Sequence, residues 1–145
     1  MMLLVLCCVV SCNRGSQKVM SKYQPGQVWT YRTRPGEEAS RLTILKVEPY
    51  GKTGNAVHVR INGVKINNPQ VVGGVSTEIG HLPFAEAVID KCVVKLESSG
   101  AAVSHRLEGY DTWKEQADKG KAGVFTVTVV EAIGIVEKAM SQQAP

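Results

Sequence analysis

Glu78 and His81 are the residue types at the spacing most able to do acid–base chemistry in this chain, with His81 in the Gly80-His81-Leu82-Pro83-Phe84 segment. An imidazole at a helix entry beside a carboxylate can act as a general base or bind an anion. Such a base needs company, and no nucleophile, glycine-rich phosphate loop or second histidine at ligand spacing accompanies it. A small hydrolase using His81 with Glu78 is therefore the alternative expectation, and a structural loop is the first. His58 and His105 stand alone in sequence, and no pair of His, Cys, Asp or Glu falls at a recognised metal-ligand spacing. Neither a metal nor a cofactor is expected.

Cys92 falls on an apolar helical stripe, where thiolate formation is disfavoured, and reads as core rather than as a nucleophile. Trp29 and Tyr31 share one side of a strand, and Tyr110 and Trp113 flank a helix start. Aromatic groups so placed are usually packed, yet exposed pairs would suit a protein or glycan contact. These four residues and His81 are the binding candidates. The adjacent carboxylates Glu37 and Glu38 lie in a turn and are expected to be solvated.

The elements that would position these groups follow from periodicity and turn chemistry. Residues 27–33 are rich in aromatic and β-branched types and read as a strand, which Arg34-Pro35-Gly36-Glu37-Glu38 turns back. A second strand spans about 41–49. The third, about 56–66, sets Val57, Val59 and Ile61 on one face and His58, Arg60 and Asn62 on the other. Residues 75–79 read as a short strand. From Pro83 to about Glu97, Ala85, Val88, Ile89, Cys92 and Leu96 recur at helical spacing, with Pro83 suited to a first helical position. A second helix is expected to start at Asp111 or Thr112, the latter at capping-box spacing to Glu115, and to run to about Lys119, then a strand at 123–127. A third helix would begin at Thr128, capped with Glu131, and align Ile133, Val136 and Met140; a single strand from Val124 to Val136 is its competitor, against which Glu131-Ala132 and Glu137-Lys138-Ala139-Met140 favour helix. Short turns between strands make an antiparallel meander economical. The expected fold is α+β, a β-meander sheet with about three helices packed on one face.

Composition is globular, with 43% hydrophobic and 21% charged residues. The net charge of +4 is uneven along the chain: residues 14–65 carry ten basic and three acidic side chains, and residues 66–145 carry seven and ten. The simpler expectation is that the two halves neutralise each other on packing. The sharper one is a basic face aimed at anionic headgroups or an acidic partner.

The chain begins Met-Met-Leu-Leu-Val-Leu-Cys-Cys-Val-Val-Ser-Cys and then turns polar at Asn13-Arg14-Gly15-Ser16-Gln17. A spanning helix needs about 20 apolar residues; the eleven before Cys12 have instead the length of a signal-peptide core. Val9-Val10-Ser11-Cys12 resembles the lipobox of bacterial lipoprotein precursors. The resemblance covers only the leader. It implies cleavage before Cys12, a thioether-linked diacylglycerol on that cysteine, and acylation of the new amino terminus. Residues 1–11 would then be a signal peptide, 12–26 the lipidated cysteine and a flexible tether, and 27–145 a single α+β domain. The cleaved form keeps 134 residues, enough for one core, and Cys92 has no disulfide partner in it. The location implied is the bacterial envelope, with Asn13 compatible with an outer membrane facing the periplasm. Membrane contact through lipid, another envelope protein as partner, and no nucleic acid are the corresponding expectations. The function class expected is a non-enzymatic protein-binding or inhibitor module, with structural assembly as a further alternative.

Overall fold

A computed structural model describes residues 20–52, 54–104 and 107–143. Cys12, its leader and His105 lie outside the described residues. Five strands and three helices follow in the order β1 (Val28–Tyr31), β2 (Arg41–Tyr50), β3 (Gly54–Asn67), β4 (Val75–Ala85), α1 (Glu86–Cys92), β5 (Val93–Ser98), α2 (Glu108–Asp118) and α3 (Val129–Gln142). The strands form one antiparallel sheet in the order β4-β3-β2-β1-β5, so the α+β class and the meander are those expected. α1 links β4 and β5 at opposite edges. Seven helical residues rise only about 10 Å, against about 19 Å across four strand spacings in a flat sheet. The connection closes because the sheet coils around its core face.

That face is set by alternation. Val57, Val59 and Ile61 are fully buried, opposite Phe84, Leu82 and Ile79 of β4, and Ile89 of α1 with Val129, Ala132 and Ile133 of α3 complete the core. Val136 and Met140 pack at its margin. α3 begins as its sequence indicates: the Glu131 amide donates to Thr128 Oγ1 at 3.3 Å, and the Thr128 amide to Glu131 Oε2 at 2.8 Å. The helices are divided between the two faces of the sheet. α1 and α3 cover the Val57 side, while α2 lies over the opposite side, against His58.

Several expectations are corrected. The helix expected over 83–97 is confined to Glu86–Cys92. β4 runs through Gly80-His81-Leu82-Pro83-Phe84, and β5 starts at Val93. Pro83 is tolerated in β4 because its carbonyl, and hence its nitrogen, faces away from β3. That carbonyl accepts the Phe125 amide at 2.8 Å, so no ladder bond is lost. Burial of Phe84 and the ladder to β3 outweigh local helical periodicity. The stripe is correct inside α1, where Ile89 and Cys92 are buried, and Cys92 is a free thiol. α2 begins at Glu108 after Leu107, with no side-chain cap, rather than at Asp111 or Thr112. The strand expected at 123–127 reduces to one parallel bridge between Phe84 and Phe125.

Residues 21–26, expected to belong to a flexible tether, are packed on the domain. Ser21 donates to Glu86 Oε1 at 2.6 Å, and Tyr23 is buried with its hydroxyl on Asp90 at 2.8 Å. Gly26 has φ +88°, and a Cβ there would stand 2.8 Å from the Ala101 carbonyl oxygen, so chain entry is built into the domain. The two charge halves do meet. Lys22 pairs with Asp90, Arg34 with Glu137 and Arg41 with Glu97, at 2.6–2.8 Å.

Candidate functional site

The polar face of the sheet brings together residues that sequence spacing keeps apart. His58 of β3 stands opposite Lys46 of β2 and Pro83 of β4. Side chains alternate faces along a strand, so His81, two residues before Pro83, lies diagonally beside His58. The two imidazoles stack with centroids 5.2 Å apart and planes at 14°. His58 Nδ1 and His81 Nε2 are 2.9 Å apart, and His58 Nε2 is 3.2 Å from Glu48 Oε1. Tyr110 of α2 donates its hydroxyl to Glu48 Oε2 at 3.1 Å.

This order of partners assigns the protons. Glu48 accepts from His58 Nε2–H, which leaves His58 Nδ1 as the acceptor for His81 Nε2–H. Both rings are neutral in that arrangement. His58 is fully buried, and burial lowers the pKa of each imidazole to about 4; nearby Lys46 also opposes charge on His58, and His58 opposes it on His81. The Tyr110 hydroxyl is pushed up to about 12 by burial and by the Glu48 carboxylate it serves. Aromatic rings enclose the pair. Trp113 meets His58 edge-on at 4.6 Å and donates its indole N–H to the Gly123 carbonyl at 2.7 Å. Lys46 Nζ sits 4.9 Å from the Tyr110 ring centroid, a cation–π contact.

Of the expected site residues, His81, Tyr110 and Trp113 converge here. Trp29 and Tyr31 do not. They lie on the core side, Trp29 against Tyr23 at 5.5 Å and Tyr31 buried with its hydroxyl on Ser40 at 2.7 Å. His81 and Glu78 are not partners, since Glu78 takes the Asn62 side-chain amide. His81 belongs to a strand, not to a helix entry. The residues missed are Glu48, Lys46 and His58, the last having been read as isolated. Alternation along its strand places His58 on the polar face, but the register that aligns 46, 58 and 81 is written in no single segment.

α2 packs on the sheet here through the Tyr110 and Trp113 ring contacts and the Tyr110–Glu48 hydrogen bond, while three of the four imidazole nitrogens are taken up by Glu48 and by each other. A cleft of about 610 Å³ opens beside Tyr50, Lys52, Asn55, Glu86 and Asp90, and one of about 270 Å³ is lined in part by Glu48, but neither is lined by His58 or His81. Among the described residues, no three of His, Cys, Asp or Glu converge as metal ligands. No helix among them is long and apolar enough to cross a membrane.

Gly109 shows how closely α2 is seated. A Cβ there would lie 2.6 Å from His81 Cβ, whereas one at Gly134 of α3 would meet nothing within 4 Å. Gly→Ala normally favours a helix by about 0.5–1 kcal/mol. Gly134→Ala should therefore stabilise by about that amount, while Gly109→Ala should destabilise by about 1–3 kcal/mol through overpacking. Urea melts of the two variants check this pair, and equal signs would contradict the seating of α2. Against protein-family models, curated proteins and solved structures, the chain finds no match.

Proposed function

We propose that this chain is a lipid-anchored, non-catalytic protein-binding module of the bacterial envelope, of the inhibitor or immunity type, with Cys12 as the lipid attachment site. The observation that carries it is the lipobox-like Val9-Val10-Ser11-Cys12, which stands only nine residues ahead of the packed Ser21. A lipidated Cys12 would thus leave a short connection between bilayer and domain. Two or more acyl chains, at about 0.8 kcal/mol per buried methylene, anchor stably where one does not. The hydrolase alternative depends on a contact between His81 and Glu78, and Glu78 instead takes the Asn62 side-chain amide while His81 meets His58. Asn13 after the cysteine fits an outer-membrane position facing the periplasm.

Cys12→Ser should move the protein from the membrane pellet to the soluble fraction almost completely and abolish incorporation of labelled palmitate. Membrane association and gel mobility identical to the unsubstituted chain would remove the anchor from the proposal.

A further inference from the structure

The β3–β4 hairpin tip carries the strongest surface signal outside the histidine cluster. From Ile66 to Thr77 the chain has no charged side chain, in a protein that is 21% charged. Val72 is 105% exposed relative to the reference, Val75 48% and Val71 38%. Exposed valines alone would say little, but here they are held out by a built turn. The Asn68 amide donates to the Gly74 carbonyl at 2.9 Å and the Gly74 amide to the Val71 carbonyl at 3.0 Å. Asn68, itself buried, accepts the Gln70 amide on Oδ1 at 3.1 Å and donates to Ser76 Oγ at 2.9 Å. Gly73 and Gly74 take φ of +85° and +70°, which other residues rarely adopt. Gln70 ties the tip to the end of α3 through the Gln143 carbonyl at 2.9 Å. A loop ordered before contact loses less conformational freedom on binding, and one without charge buries no ion.

Its place in the fold separates it from the anchored end. Ser21 and Asn55 each donate to one oxygen of Glu86 at 2.6 Å, which fixes chain entry at the start of β3. The tip is at the other end of β3, twelve residues on from Asn55, a run of up to about 40 Å. Met20 is eight residues on from Cys12, a span of at most about 28 Å. The geometry points to the tip, residues 68–74, as the surface that inserts Val71 and Val72 into an apolar, charge-free pocket of a partner protein on the side away from the membrane. This rests on the anchored-module reading for its orientation and names the surface that reading requires.

The test places the photo-crosslinker p-benzoylphenylalanine at position 72 of the full chain in its native envelope, with position 94, on β5 and 66% exposed, as the control. Illumination should give one adduct from 72 and none from 94, and mass spectrometry should map the attachment to an apolar pocket of an identified protein. That protein, purified, should bind the full chain carrying Cys12→Ser. Val72→Asp should weaken binding at least tenfold, and Val94→Asp should leave it within twofold. Circular dichroism melts should show both variants folded. Adducts to a second copy of this chain, to phospholipid, to charged surfaces, equally from both positions, or from neither would overturn the inference. Binding by the Cys12→Ser chain does not depend on lipidation, so loss of the anchor reading leaves this result readable.

Discussion

Lowering the pH from 7 to 4.5 should cost the folded domain about 2–5 kcal/mol, with the decline starting near pH 6.5. His58 is buried and His81 half-buried, the two are neutral and mutually hydrogen-bonded, and their folded pKa values fall to about 4 from the ordinary 6.5. A depressed imidazole pKa means that the unfolded chain binds protons first. The contribution to stability is therefore full above 6.5 and is lost as pH falls from 6.5 through 4. Each imidazole can contribute about 1.4 kcal/mol per pH unit within that window. The Glu48 carboxylate at 3.2 Å moderates the first proton, but a second leaves two donors facing each other across 2.9 Å. Other depressed groups, Glu37, Asp90 and Glu137, have folded values below the carboxylate range and act mainly at lower pH. Urea melts at pH 7, 6, 5 and 4.5 measure the slope, and His58→Gln with His81→Gln should flatten it. A flat wild-type profile over that range would be incompatible with a neutral buried pair.

Glu37→Ala should destabilise by about 2–4 kcal/mol while Glu38→Ala, one residue on, costs under about 1 kcal/mol. Both carboxylates were expected to be solvated, and Glu37 is instead 4% exposed. Its oxygens accept from Arg34 Nη2 at 2.6 Å and Nε at 2.9 Å, and from the Lys65 amide at 2.7 Å. Arg34 also donates through Nη1 to Glu137 Oε2 at 2.6 Å, and Glu137 Oε1 takes the Asn67 amide at 2.8 Å. One fork thus joins the β1–β2 turn, the end of β3 and the middle of α3. The Arg34 guanidinium and the Lys65 amide hold the Glu37 carboxyl below its usual range. Removing it leaves an amide and half a guanidinium without their acceptor in a largely dry place. The exposed Glu38 carboxylate accepts from nearby backbone amides, that of Gly36 at 2.8 Å. Equilibrium urea denaturation separates the two variants, and indistinguishable losses would refute the fork as a stabilising unit.

The contrast between neighbours such as Glu37 and Glu38 explains what could be read early. Where one chain segment contains both the signal and its consequence, sequence reading succeeds. The alternation of Val57, Val59 and Ile61 put a hydrophobic face on one strand, and Thr128 with Glu131 marked the start of α3. Cys92 could be assigned to core because its own helical turn carries the apolar stripe. Signals failed where a distant partner decides. Residues 83–85 have helix-compatible spacing, yet β3 on one side and Phe125 on the other claim their backbone. Tyr110 and Trp113 were visible as a pair without the sheet they cover.

His58, called isolated, and His81, paired in expectation with Glu78, became one cluster for the same reason. They are 23 residues apart, and nothing local to either specifies the other. Amino-acid order by itself determined the α+β class, the antiparallel meander, the core face of β3 and the cap of α3, because periodicity and capping act over a few residues. Only the tertiary structure decided that α2 takes the opposite face and that two imidazoles meet beneath it. Strand register and burial are collective properties of paired segments: a one-residue slip in β4 would turn His81 toward the core and dissolve the site.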